Sequence, residues 1–200
     1  MEPASEALMR SALHDLANVL CGIRGILELS DPQQPLSPRD QSRLDAVIAD
    51  GMVALERSRH LAMGTLPDTM VESGLDWRHQ MEEQLKPLGV LFRRRFDVDF
   101  EGEPAQDRWP GELLRSYALA LTRQVLPYIQ GESLAIHCGA DAREWRLHWP
   151  HATEIPESLR PEMETRPRDI SARWSLFVGA ALHAELNADK DGLRVRIPRF

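Results

Sequence analysis

The chain has 200 residues, of which 42% are hydrophobic, enough to build a folded core and against a disordered tail. With 31 acidic and 24 basic side chains the formal net charge is -7, which argues against capture of nucleic acid by overall charge. Two cysteines, Cys21 and Cys138, share no metal-ligand spacing and are expected to be buried free thiols.

No apolar run reaches membrane-spanning length, and no basic segment followed by an apolar run opens the sequence, so a soluble cytoplasmic protein is expected. A first helix is predicted over about residues 6–29, with Ser5 as its cap. The three prolines of "SDPQQPLSP" end it. Ser37, Pro38 and Asp40 then read as N-cap, first helical residue and an acidic group at the positive helix end. A second helix is predicted over 39–63, with Leu44, Val47, Ile48, Gly51, Leu55 and Leu61 or Ala62 in its stripe. At about 36 Å each, two such helices joined by a short Pro-rich turn form an antiparallel hairpin. A lone hairpin buries its apolar faces poorly, so a self-paired four-helix bundle, a homodimer, is expected.

Residues 64–74 read as a linker. Beyond it a helix is predicted from Asp76 to about Leu91, interrupted near Pro87, followed by a strand in "RFDVDFEG". A helix follows in "GELLRSYALALTRQVLPYI", then two strands, "SLAIHCG" and "REWRLHW", around a Gly-Ala-Asp turn. The proline-rich 150–170 segment reads as a loop or lid. "SARWSLFVGAALHAEL" reads as a last helix and "GLRVRIPRF" as a closing strand. This order describes an α+β fold: an N-terminal helical hairpin, residues 1–66, and a C-terminal sandwich of helices on one face of a small mixed sheet, residues 67–200. Trp145, Trp149 and Trp174 are expected in the core of the second part. The remaining histidines show no mutual spacing of a site, and the Arg93–Arg95 run reads as a solvated helix end or a contact for an acidic surface.

The first helix carries the chemistry. At 100° per residue, Leu13, Leu16, Val19, Leu20, Ile23, Ile26 and Leu27 gather on one side. His14, Asn18, Cys21 and Gly25 gather on the other, with His14 about 170° from the middle of the stripe. His14 therefore points away from the apolar side. Asn18 lies one turn along, within reach of a shared ligand, and Asp15 lies at the edge of the same face. Gly22 and Gly25 point to close approach by another surface or to a helix-packing groove. An exposed imidazole is a good nucleophile near neutral pH. A neighbouring carboxylate can hold one ring nitrogen through its proton and free the other to attack. Phosphorus is a suitable target, because phosphoryl transfer demands positioning more than covalent machinery. By the residues alone, an ordinary solvated histidine and a phosphoryl acceptor both remain open, while a metal site lacks a second ligand on this face.

The segment "LHDLANVLCGIRGILEL" resembles the phospho-acceptor helix of two-component histidine kinases, with Val19 where proline is frequent. Its His-Asp-x-x-Asn form, His14, Asp15 and Asn18, also resembles bacterial histidine phosphotransferases built on a kinase-like scaffold. These join a dimerising hairpin to a degenerate ATP-binding domain. The resemblance implies that residues 1–66 dimerise and carry the phosphoryl group, and that 67–200 are a kinase-like domain. Gln124 stands where the metal-binding Asn of the nucleotide site would fall. No DxGxG lies between Trp149 and Ile170, and no GxGxG precedes the last helix, where bulky Arg173 and Trp174 stand. Without those glycines backbone amides cannot approach phosphates closely, so ATP binding is expected to be lost. No cofactor is then expected on this chain, and Mg2+ is expected on the partner.

The resemblance implies as partners the receiver domains of response regulators or a hybrid histidine kinase, a second copy of the chain, and neither nucleic acid nor membrane. Four activities follow as alternatives: phosphotransfer between receiver aspartates through His14, sequestration of a receiver or kinase without chemistry, receiver dephosphorylation by water held on Asn18, and ATP-dependent autophosphorylation. The missing glycines disfavour the last.

Overall fold

The computed structural model describes residues 4–31, 33–67, 70–102, 108–160 and 169–199. Two long helices, α1 (Ala4–Leu29) and α2 (Pro38–Met63), form the expected hairpin. Ser37 caps α2 by accepting from the Asp40 N–H, and Gly64, in the left-handed region at φ 63°, ends it. The start of α1 at Ala4 places the expected cap, Ser5, inside the helix.

The linker is not bare. Its end, β1 (Val71–Ser73), pairs antiparallel with β3 (Arg108–Pro110). Both strands have three residues, too few to show an alternation. Ser73 then caps α3 (Gly74–Phe92), which runs through Pro87 without ending. The main sheet contains β2 (Arg95–Phe100), β4 (Ser133–Ala140), β5 (Glu144–Pro150), β6 (Glu185–Asp189) and β7 (Gly192–Pro198) in the order β2-β4-β5-β7-β6. β2 and β4 are parallel, and the other pairs are antiparallel. The two helices α4 (Gly111–Val125) and α5 (Ile170–Ala181) complete the chain.

β6 corrects the sequence reading, which continues the last helix to Leu186. The helix stops at Ala181, His183 turns the chain at φ 51°, and Asp-Lys-Asp-Gly makes the hairpin into β7. Of the proline-rich 150–170 loop, residues 157–159 form a 3-10 turn, and residues 161–168 lie outside the described residues.

The core lies between the sheet and α3, α4 and α5. Strict alternation turns Leu134, Ile136 and Cys138 of β4, and Trp145, Leu147 and Trp149 of β5, to the buried side. Trp149 donates its indole N–H to Thr122 Oγ1 at 3.0 Å, and Trp174 donates to Ser116 Oγ at 3.3 Å, so both rings are buried with their polar atoms satisfied.

The hairpin packs by its small residues. A Cβ on Gly22 would lie 3.2 Å from Val47 Cγ1, and one on Gly51 would lie 3.0 Å from Val19 Cγ1, so the two helices meet at reciprocal glycine–valine pairs. Gly22 thus sits in a helix-packing groove, whereas Gly25 faces open space. The predicted leucine stripe does not face this contact. Ala7, Ser11 and Ile26 are buried, while Leu13, Leu16, Leu20 and Leu27 are exposed, as are Ile48, Met52 and Leu55 of α2. Cys21 is exposed too, against expectation, because nothing among the described residues covers its side of α1; Cys138 is buried.

A polar seam joins the hairpin to the α/β part. Arg57 of α2, 6% exposed, donates to Ser171 Oγ at 3.0 Å and to the Ser116 carbonyl at 3.2 Å. Arg123 of α4 pairs with Asp50 of α2, and Arg173 of α5 donates to Ser11 Oγ at 2.7 Å. No helix among the described residues is long and apolar enough to cross a membrane.

Candidate functional site

His14 and Asn18 are exposed on the open side of α1. One helical turn apart, they lie in contact, with Asn18 Nδ2 3.2 Å from His14 Nε2. An amide nitrogen only donates, so this arrangement leaves the lone pair on Nε2 and the proton on Nδ1. The unprotonated ring nitrogen is therefore Nε2, which accepts from Asn18.

Asp15 is half-buried and turned elsewhere. Its Oδ2 accepts from the backbone N–H of Ile170 at 3.0 Å, across 155 positions of sequence. It thus meets the positive N-terminus of α5, already capped by Asp169 accepting from the Ala172 N–H at 2.6 Å. Burial pushes the Asp15 carboxyl up from its usual value. The Ile170 N–H works in the opposite sense, and repulsion from Asp169 adds to the rise. The sequence reading brings Asp15 to the imidazole; the structure brings it to α5, one residue from the histidine that it would steady.

Behind Asn18 lies a hollow of about 210 Å³, lined among others by Asp15, Asn18, Asp50, Arg57, Arg123 and Ser171. The two arginines are absent from the sequence reading. Burial disfavours the charge on Arg123, but Asp50 outweighs it by charge and by hydrogen bond, with Asp15 and Asp169 adding, so its pKa rises. Burial and then repulsion from Arg123 pull Arg57 down to about 10, so it too remains charged at neutral pH. Arg57 lies in the run Glu-Arg-Ser-Arg, and nothing in its neighbouring residues distinguishes it.

Gln124, at the expected nucleotide position, is engaged by the chain itself. Gln124 donates from Nε2 to Asp169 Oδ1 at 3.0 Å and accepts at Oε1 from Ser158 Oγ at 2.6 Å. Among the described residues no group of three His, Cys, Asp or Glu side chains could hold a metal ion. The hairpin and the five-stranded sheet together have counterparts among solved structures. The Acinetobacter baumannii histidine kinase AdeS superposes with a TM-score of 0.54 over 92% of this chain and 97% of its own, at 12% identity. A bacterial phosphotransferase superposes with a TM-score of 0.57 over 98% and 97%, at 13% identity. The fold is histidine-kinase-like. No family model matches the chain, and no curated protein matches its sequence. Within the kinase-like fold the exposed histidine lies on the first hairpin helix, and the sheet part carries Gln124.

Other histidines also meet. His137 and His148 face each other across β4 and β5 with ring centroids 5.5 Å apart, a pairing made by sheet register and invisible in their spacing.

Proposed function

We propose that the chain is a histidine phosphotransferase of a two-component phosphorelay, with His14 as the phosphoryl carrier. The observation that supports this best is the His14–Asn18 pair on the open face of a kinase-like hairpin, next to a kinase-like part whose Gln124 is held by Ser158 and Asp169. In this reading the Nε2 lone pair attacks the phosphorus of an aspartyl phosphate on a receiver domain. The N–P bond forms as the P–O bond breaks, and the aspartate leaves as a carboxylate. The reverse step on a second receiver returns the phosphoryl group to oxygen. The Asn18 amide, released from Nε2, then meets a phosphoryl oxygen. Asp15 fixes this turn of α1 through Ile170 and so holds the ring in place. The chain supplies no metal; Mg2+ belongs to the receiver.

The division at about residue 66 separates a transfer and dimerisation hairpin from a kinase-like part that no longer uses ATP. The exposed leucines of α1 and the apolar residues of α2 support a homodimer through a four-helix bundle. Asn18 also supports a receiver phosphatase as second reading, with a water in place of His14 as nucleophile.

Incubation with a phosphorylated receiver domain separates the readings. Acid-labile, alkali-stable label is expected on this chain and is expected to vanish in His14→Gln, with folding unchanged because the side chain is exposed. Loss of receiver phosphate that survives His14→Gln and falls with Asn18→Ala would favour the phosphatase. Label on the His14→Gln protein, relayed at the original rate, would defeat the mechanism.

A further inference from the structure

The main sheet has two faces, and the helices cover one of them. Alternation sends Ile136 and Cys138 of β4 and Leu147 and Trp149 of β5 into the core, and sends His137 and His148 to the open face. The two histidines are direct register partners across the antiparallel ladder, so the backbone of adjacent strands sets their spacing. Their rings stand 5.5 Å apart, centre to centre, and nearly perpendicular at 82°. His137 keeps 40% of its side-chain surface open to solvent.

Each Nε2 is drawn to the strand beyond. Asp99 lies on β2, on the far side of β4, and Asp191 lies at the turn into β7, on the far side of β5. His148 Nε2 is 3.0 Å from the Asp191 carbonyl, which only accepts, so this nitrogen holds the ring proton. His137 Nε2 faces Asp99 Oδ2 at 3.7 Å, and a carboxylate there favours the proton on the same nitrogen. Nδ1 of each ring is then left with its lone pair, and neither Nδ1 has a hydrogen-bond partner among the described residues. A histidine with one nitrogen turned to a carboxylate or carbonyl and the other left free has the arrangement of a metal ligand with its outer partner. The flanking cations are already neutralised: Arg146 pairs with Glu101, Asp141 and Glu144, and Arg194 with Asp189 and Asp191. Two imidazoles on one tetrahedral Zn2+, at about 2.0–2.1 Å per bond, hold their ring centres about 5 Å apart, close to the separation already present. Asp99 meets the ring and acts as an outer partner, so the site has two protein ligands and not three.

We propose that His137 and His148 form a zinc site on the open face of the sheet, each ligating through Nδ1, with water in the two remaining positions. Imidazole nitrogen suits Zn2+, whereas Mg2+ takes oxygen ligands. The ion clips β4 to β5 on the face that the helices leave open and takes no part in chemistry at His14. Binding raises the unfolding temperature by mass action.

The test is titration of the full chain with Zn2+ alone, followed by calorimetry and by the imidazole nitrogen NMR signals of His137 and His148. One saturable site per chain is expected, with a Kd of about 10–100 µM, and both Nδ1 signals are expected to move together. Mg2+ at the same concentrations is expected to move neither. His137→Gln and His148→Gln are each expected to weaken binding about tenfold or more, since each removes one of two ligands. No saturation by about 1 mM Zn2+, Mg2+ competing on equal terms, or affinity unchanged in both variants would each overturn the proposal. So would zinc binding to the unaltered chain with neither Nδ1 signal moved, a result that needs no variant. His137→Gln is expected to leave phosphoryl transfer through His14 unaltered, so this result and that of the phosphoryl-transfer assay stand independently.

Discussion

The hairpin and the sheet part treat their side chains in opposite ways. On the hairpin, leucines face outward, the helices meet through glycines and valines, and His14 stands exposed. In the sheet part, four tryptophans are fully buried, and Gln124 has its amide engaged at both ends. The hairpin leaves its His14–Asn18 pair in solvent, while the sheet part engages Gln124 internally and keeps the indole N–H groups of Trp77 and Trp109 buried without hydrogen-bond partners.

That contrast can be broken at several points. The largest effect is expected for Leu13→Asp combined with Leu20→Asp. Each leucine buried in a bundle contributes about 1.5–3 kcal/mol, so the charged pair is expected to turn the dimer into monomers that remain folded, as light scattering would record. An unmodified chain that is monomeric at tens of micromolar would remove the contrast altogether. Next in size is Leu147→Ala in the sheet core, expected to cost about 2–5 kcal/mol, whereas Leu29→Ala, at a position 86% exposed, should change stability by no more than about 0.5 kcal/mol. Denaturant titration of the two variants measures the difference directly.

Asp15 tests the seam between the regions. Asp15→Ala removes the acceptor for the Ile170 N–H and is expected to cost about 1 kcal/mol; Asp15→Asn keeps an acceptor oxygen. Since burial raises the folded pKa above the ordinary 3.8, the folded state binds the proton more tightly than the unfolded one. The resulting stability is present in full below pH 3.8 and is lost as pH rises through the folded value. Asparagine has no such loss. The stability of the native chain relative to Asp15→Asn should therefore decline from acid toward neutral pH, as urea titrations across that range would show. The smallest effect is expected for Gln124→Asn. With Ser158 and Asp169 still in place, and no phosphate-binding glycines, ATP affinity should stay weaker than about millimolar in both proteins; micromolar binding by calorimetry would show that the sheet part is not closed.

Sequence periodicity located the hairpin and the alternating strands of the main sheet because each leaves a local signature. It also placed Asn18 within one turn of His14. It could not tell what covers a stripe. The leucines of α1 announce a helix with an apolar side, but only the folded chain shows that of the predicted stripe Val19 and Ile26 pack inward, beside Ala7, Ser11 and Gly22, while the leucines do not. Three-residue strands are too short to alternate, and β6 was masked by the helix-forming run that precedes it. The placement of Asp15 on Ile170, of Arg57 on Ser171 and of Ser158 on Gln124 depends on long-range packing, for which neighbouring residues carry no mark.

The reciprocal pairs Gly22–Val47 and Gly51–Val19 have a mechanical consequence. Each valine occupies the notch opposite a glycine, so sliding one helix along the other would drive a methyl group into a neighbouring side chain at two places at once. Close-packed interfaces resist such displacement and move between discrete arrangements. A load on the open face of α1 is therefore passed to α2, and the bond from Ile170 to Asp15 ties the same helix to α5.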